Sequence, residues 1–221
     1  VLTPSQRVLI RRSRPCHYCR VAQQEDPEEF APPVANGVRA GTLLLASTDL
    51  MEPTFRRSVI YVVEHNDGGT LGVVLNRPSE TAVYNVLPQW TDTVVKPKTM
   101  FVGGPVKRDA ALCLGTLRVG ADPDATPGLR HVAGRIVMVD LDADPESIGA
   151  AVEGVRIFAG YSGWTTGQLE GEIDRDDWIV LSALPSDVLA EPRADLWSRV
   201  LRRQPMPMPM LATHPVDVSR N

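Results

Sequence analysis

A chain of 221 residues with 43% hydrophobic and 23% charged residues has enough apolar material for one globular domain with a full core. Its formal net charge of -4 gives no general attraction to nucleic acid or to an anionic membrane. No apolar run approaches the roughly 20 residues of a bilayer crossing, and the first forty residues lack an apolar leader, so the sequence points to a cytoplasmic protein without a membrane partner.

Residues 1–39 read as a flexible arm: an Arg-rich part is followed by an acidic part, with no apolar periodicity to offset the entropy of ordering. Such an arm is also what an upstream start codon would add. It carries Cys16-His17-Tyr18-Cys19. A structural zinc site needs four ligands and no second pair is present, Arg20 stands where haem attachment needs histidine, and the Arg-rich surroundings do not suit a thioredoxin-like redox motif. Neither metal nor cofactor is expected, and three cysteines in all, with Cys113, do not complete a disulfide framework. The domain itself is placed at 40–204, followed by a Pro/Met-rich tail at 205–221.

From Gly41 the chain turns to short apolar runs separated by turn residues. Thr42–Ala46, Ser58–His65 and Thr70–Arg77 read as strands. Asn66-Asp67-Gly68-Gly69 tolerates positive φ and joins the last two as a hairpin. These strands are apolar on both faces, which places them inside the fold. Val83, Val86, Leu87 and Trp90 fall at helical spacing and predict a short amphipathic helix over Ala82–Trp90. Thr99–Val102 leads into Gly103-Gly104-Pro105, read as a sharp reversal, and Ala110–Arg118 is extended again. After the loop at 120–128, Arg135–Leu141 reads as a strand. Asp144-Pro145-Glu146 then opens a helix to Val155, with an Asp cap, a first-turn proline and an acidic start.

The next strand runs into Gly160-Tyr161-Ser162-Gly163-Trp164, read as a tight turn. Thr165 and Gln168 have the capping-box spacing of a following helix, with Leu169 and Ile173 on its apolar face. Trp178–Leu181 returns to strand, Pro192–Asp195 starts a last helix to about Arg203, and the alternating prolines of 205–210 predict no helix beyond it. Strands and helices mix without strict βαβ alternation. The fold class is therefore α+β, a compact single domain around a mostly antiparallel sheet flanked by helices.

Ser162 invites comparison with the G-x-S-x-G nucleophile elbow, in which small residues flank the serine on both sides. Here Gly163 follows the serine at once and the bulky Trp164 takes the second small position. A triad also needs a histidine and an acid in space, and the sequence does not single out His65, His131 or His214. The same letters serve backbone shaping: Gly160 and Gly163 allow close packing, while Tyr161 and Trp164 supply buried surface. His65 has the chemistry of a general base, yet at a hairpin end it more often bonds to the turn. Gly103-Gly104-Pro105, followed by Lys107 and Arg108, lacks P-loop spacing and reads as a turn.

Three separated segments carry a further likeness: GTLLLASTDLMEPTFRRSVIYVVEHNDGGTLGVVLNRPSE (41–80), MFVGGPV (100–106) and FAGYSGWTTGQLEGEI (158–173), followed by Trp178. Together they resemble the bacterial AlgH/YqgE family over about Gly41 to Trp197. The resemblance implies a small closed or bifurcated sheet in a cytosolic protein of unsolved biochemical role, sometimes called a transcriptional regulator. It brings no DNA-binding motif, and no helix-turn-helix with a basic recognition helix is visible, so nucleic acid is not an expected partner. In the family pattern alanine can stand at the position of Ser162, which argues against a nucleophile there. The chain departs from that pattern at Ser47–Phe55, where many members have a proline after the first strand. It departs again at Cys113, where a histidine often stands.

The expectation is a noncatalytic binding or regulatory protein with a protein or small-molecule partner. The candidate binding residues are His65, Asn66, Gly103, Gly104, Pro105, Tyr161, Ser162, Gly163, Trp164 and Thr165. The alternatives are a small hydrolase or anion-processing enzyme using Ser162 or His65, and a direct DNA-binding regulator.

Overall fold

The computed structural model describes residues 37–192 and 194–214. The segment with Cys16 and Cys19 and the chain from 215 onward lie outside the described residues. Strands β1 (Thr42–Ala46), β2 (Val59–Asn66) and β3 (Gly69–Val74) form an antiparallel meander. The expected hairpin is present, with Asn66 paired to Gly69 around Asp67-Gly68. β1 and the first five residues of β2 are buried, as strands apolar on both faces should be.

The remaining strands are β4 (Pro78–Ala82), β5 (Thr99–Val102), β6 (Val106–Leu117), β7 (Leu129–Ala133), β8 (Ile136–Val139), β9 (Val152–Trp164) and β10 (Trp178–Ser182). They assemble in the order β10-β1-β2-β3-β9-β6-β8-β7, with β5 attached to β9 and β4 to β5. The α+β class holds and the sheet is mostly antiparallel. With ten strands among the described residues, however, it is a large, curled, open half-barrel in place of the small sheet expected.

The sheet branches at β9. One edge of this strand pairs with β6; the other is shared between β5, parallel at Phe158 and Ala159, and β3, antiparallel at Ser162 to Trp164. Residues 160–164, expected as a turn, are thus strand. The free edge of β3 satisfies their backbone groups, and the change of direction falls on Gly160, whose φ of 70° marks a bulge against β6.

Alternation along β1 and β2 sorts side chains to two faces. Leu43, Leu45 and Tyr61 join Phe101, Phe158 and Trp197 in one core, covered by α4 (Leu196–Arg202). Leu44, Ile60 and Val62 pack on the other face with Trp164, Trp178 and Leu169 of α2 (Gln168–Asp174). A third core gathers Trp90, Cys113, Val137, Val155 and Ile157 around Ile148 of α1 (Pro145–Ala151).

Several boundaries differ from expectation for local reasons. Ala82–Trp90 forms two 3-10 turns, because Pro88 removes a donor; Val83 and Trp90 are buried, while Val86 is exposed. Helix α1 has its Asp144 cap but stops at Ala151, where Val152 already belongs to β9. Helix α2 is capped by Gly167, two residues after Thr165, although Gln168 Oε1 does accept from the Thr165 amide at 3.2 Å. Beyond α4, Met208–Leu211 forms a short helix packed against it, since prolines at the start of a helix need no donor. β4, β7 and the short α3 (Pro185–Val188) had no clear sequence signal.

Candidate functional site

The Gly103-Gly104-Pro105 segment threads through the fork in the sheet. Gly103 donates to the Ala159 carbonyl at 2.9 Å and accepts from the Val74 amide at 2.8 Å, closing the gap between β5 and β3. A Cβ on Gly104 would stand 2.2 Å from the Tyr161 carbonyl carbon, so the segment needs glycine for close approach. Ser162 sits on the inner side of this contact, 0% exposed, with its hydroxyl donating to the Gly103 carbonyl at 3.3 Å. Among the described residues it has no imidazole partner, and it has no solvent access, which is a structural arrangement and not that of an activated nucleophile.

The hairpin tip folds over the end of β9. Asn66 Oδ1 accepts from the Gly68 amide at 2.8 Å, Asn66 Nδ2 donates to Glu64 Oε1 at 2.7 Å, and Thr166 Oγ1 donates to the Asp67 carbonyl at 2.7 Å. His65 meets its cross-strand neighbour: Nδ1 lies 2.7 Å from Thr70 Oγ1, while Nε2 is 4.0 Å from Glu170 Oε1. The histidine is thereby a hydrogen-bonding partner of the hairpin.

Beside the tip runs an open groove of about 430 Å³. Leu71, Val106 and Tyr161 supply its apolar part, and Glu64, Asn66 and Thr165 its polar part. The ring of Tyr161 lies close over Gly163, where a Cβ would come within 3.4 Å of it. Among the residues singled out from sequence, Asn66, Tyr161, Gly163, Trp164 and Thr165 line this one groove. Gly103, Gly104, Ser162 and Trp164 are buried and shape its support, and Pro105 is exposed beside the fork.

Under the groove, Trp164 and Trp178 meet edge to face at 5.9 Å, with Phe55 packed against both. Both indole nitrogens donate to Glu172 Oε2 at 2.8 Å, and Gln168 Nε2 donates to Glu172 Oε1 at 3.0 Å. One carboxylate therefore fixes two large rings and ties α2 to the sheet.

Sequence reasoning missed Glu172, because an acidic residue in a short helix carries no sign of what it will meet. It also missed Arg156, buried within β9, whose guanidinium lies over Phe101 at 4.3 Å and donates to the carbonyls of Val188 and Ala190. Burial lowers its pKa to about 10, so it remains charged at neutral pH. Asp187 is fully buried and accepts two 2.7 Å bonds from Arg203. Among the described residues no group of three or more His, Cys, Asp or Glu is arranged to hold a metal, and no helix is long and apolar enough to cross a membrane.

Comparison with known proteins agrees with this architecture. A family model described as AlgH-like matches residues 43–209. UPF0301 proteins of Mycobacterium tuberculosis and Mycobacterium bovis are 80% identical over 201 residues, covering 91% of this chain and 100% of theirs. The crystal structure of a protein from Corynebacterium diphtheriae is similar at a TM-score of 0.79 and 42% identity, covering 81% of this chain and 94% of that one. The solution structure of AlgH from Pseudomonas aeruginosa is similar at a TM-score of 0.59 and 27% identity, covering 79% and 93%. The chain belongs to the AlgH-like family, whose UPF0301 members match it along nearly their whole length.

Proposed function

We propose that this AlgH-like chain is a noncatalytic cytoplasmic binding protein, regulatory in effect, that receives a protein segment or small molecule in the groove beside the β2–β3 hairpin tip. One observation carries the reading: an aromatic ring, Tyr161, and the polar edge Glu64–Asn66 converge on an open groove, while the neighbouring serine hydroxyl is turned inward. Apolar floor with a few fixed polar groups is the usual make-up of a recognition surface.

Affinity capture from the native cell extract, with proteins and small molecules both identified, tests the reading. The wild type is expected to retain a stoichiometric partner that Thr165→Arg and Tyr161→Ala lose while their circular dichroism stays native. Reproducible turnover of an ester or phosphoester, abolished by His65→Ala in a folded protein, would overturn it.

A further inference from the structure

We propose a second site, independent of that groove and at the opposite end of the β2–β3 hairpin, that binds a small molecule carrying a phosphoryl group. A cleft of about 370 Å³ opens between the 53–57 turn, Asn76-Arg77 and the segment entering α4. Arg56, Arg57, Arg77 and Asp195 are among the described residues that line it.

The arginines are placed by specific contacts. Arg57 adopts φ 53°, a left-handed conformation uncommon outside glycine and concentrated at ligand sites. Its guanidinium lies 4.2 Å from the Trp197 ring centroid and donates to Asp195 Oδ2 at 2.8 Å and Ser198 Oγ at 3.0 Å. Asn76 locks the same backbone, donating to the Arg57 carbonyl at 2.8 Å and accepting from the Val59 amide at 3.1 Å. Arg77 donates one Nη2 bond to the Arg56 carbonyl; its Nη1 and Nε have no acceptor among the described residues.

Asp195 is engaged by Ser198 and Arg57, so it does not neutralise Arg77. Burial lowers the pKa of Arg77, a sign that its charge is partly stripped of water. These donors are not among the buried unsatisfied polar atoms and so stay open to the cleft, where a bound anion would accept from them. Planar guanidinium forks match phosphoryl oxygens in paired hydrogen bonds, and the cleft volume falls within the roughly 300–1,000 Å³ of small-molecule sites.

Calorimetric titration of the full chain with inorganic pyrophosphate and with ADP, at constant ionic strength, tests the proposal. Saturable one-to-one binding is expected, weakened about tenfold or more by Arg77→Gln and only partly restored by Arg77→Lys, which keeps the charge but not the paired donors. Asp195→Asn retains an oxygen for Ser198 while removing the negative charge, so it should bind more tightly. ADP binding better than pyrophosphate assigns a nucleotide, and equal binding assigns the phosphoryl group itself; both support the site. No saturable binding, or an Arg77→Gln affinity equal to wild type, overturns the proposal. Should Arg77→Gln not fold, an Asp195→Asn affinity unchanged or weaker overturns it equally.

Discussion

Ser162 donates its hydroxyl to the carbonyl of Gly103 at the point where β9 passes from one partner strand to another. That carbonyl also accepts from the Val74 amide, so removing the hydroxyl leaves it satisfied. Ser162→Ala should therefore destabilise by only about 1 kcal/mol, the net worth of one neutral hydrogen bond. Urea denaturation measures the cost, and a serine-directed fluorophosphonate should leave the folded wild type unlabelled. Stoichiometric labelling at this position would contradict the structural role.

Glycine identity at the fork is a sharper constraint. A Cβ on Gly104 would stand 2.2 to 2.4 Å from backbone atoms of Tyr161 and Ser162, none of which can swing away. Gly104→Ala is expected to cost about 3 kcal/mol or more through forced backbone movement. Gly167, at φ 76° with nothing within 4 Å, provides the control, since Gly167→Ala meets conformational strain without collision. About 1 kcal/mol is expected there. Equal losses at the two positions in thermal melts would show that the fork is not closely packed.

What the sequence disclosed follows from the range of the interactions involved. The hairpin at Asn66–Gly69 and the Asp144 cap are local devices, encoded within a few residues, and both are present. The segment Gly160–Trp164 reads as a turn in the sequence because its strand character depends on β3, some ninety residues earlier, offering a free edge. Local glycine content signalled a bend, and the bend exists as a bulge inside a strand. Sheet size was equally hidden, since β4 and β7 are largely polar, half-exposed strands whose pairing supplies what their composition does not. Of the candidate residues, those on β9 and the hairpin tip converge, because register brings Thr70 opposite Trp164. The arginine cleft escaped notice because its members come from three separated segments.

Asp187 and Arg203 form a pair whose carboxylate is fully buried and whose guanidinium is 18% exposed. Asp187 also accepts from the Leu184 amide at 2.8 Å, so it organises α3 as well as the end of α4. Asp187→Ala strands the partly buried guanidinium and removes that acceptor. The expected loss is about 3–5 kcal/mol, in the range for breaking a buried pair from one side. Chemical denaturation of the variant measures it, and a loss below about 1 kcal/mol would place the pair among exposed bridges.

Asp195 gives the pH dependence a sign. Burial by itself would raise its pKa, but hydrogen bonds from Ser198 and the charge of Arg57 outweigh that and hold the carboxyl below its ordinary value. A folded-state pKa below the unfolded one makes the contribution complete above about pH 4, and lost as the pH falls through the folded value. Because the side chain is 53% exposed, solvent screens the interaction and the effect is small. Asp195→Asn keeps the cap geometry and removes the titration. The difference in melting temperature between wild type and Asp195→Asn should be constant from about pH 5 to 7 and shrink below about pH 4. A difference that persists undiminished at about pH 2 would mean that it arises from packing at the start of α4 and not from the ionised carboxylate.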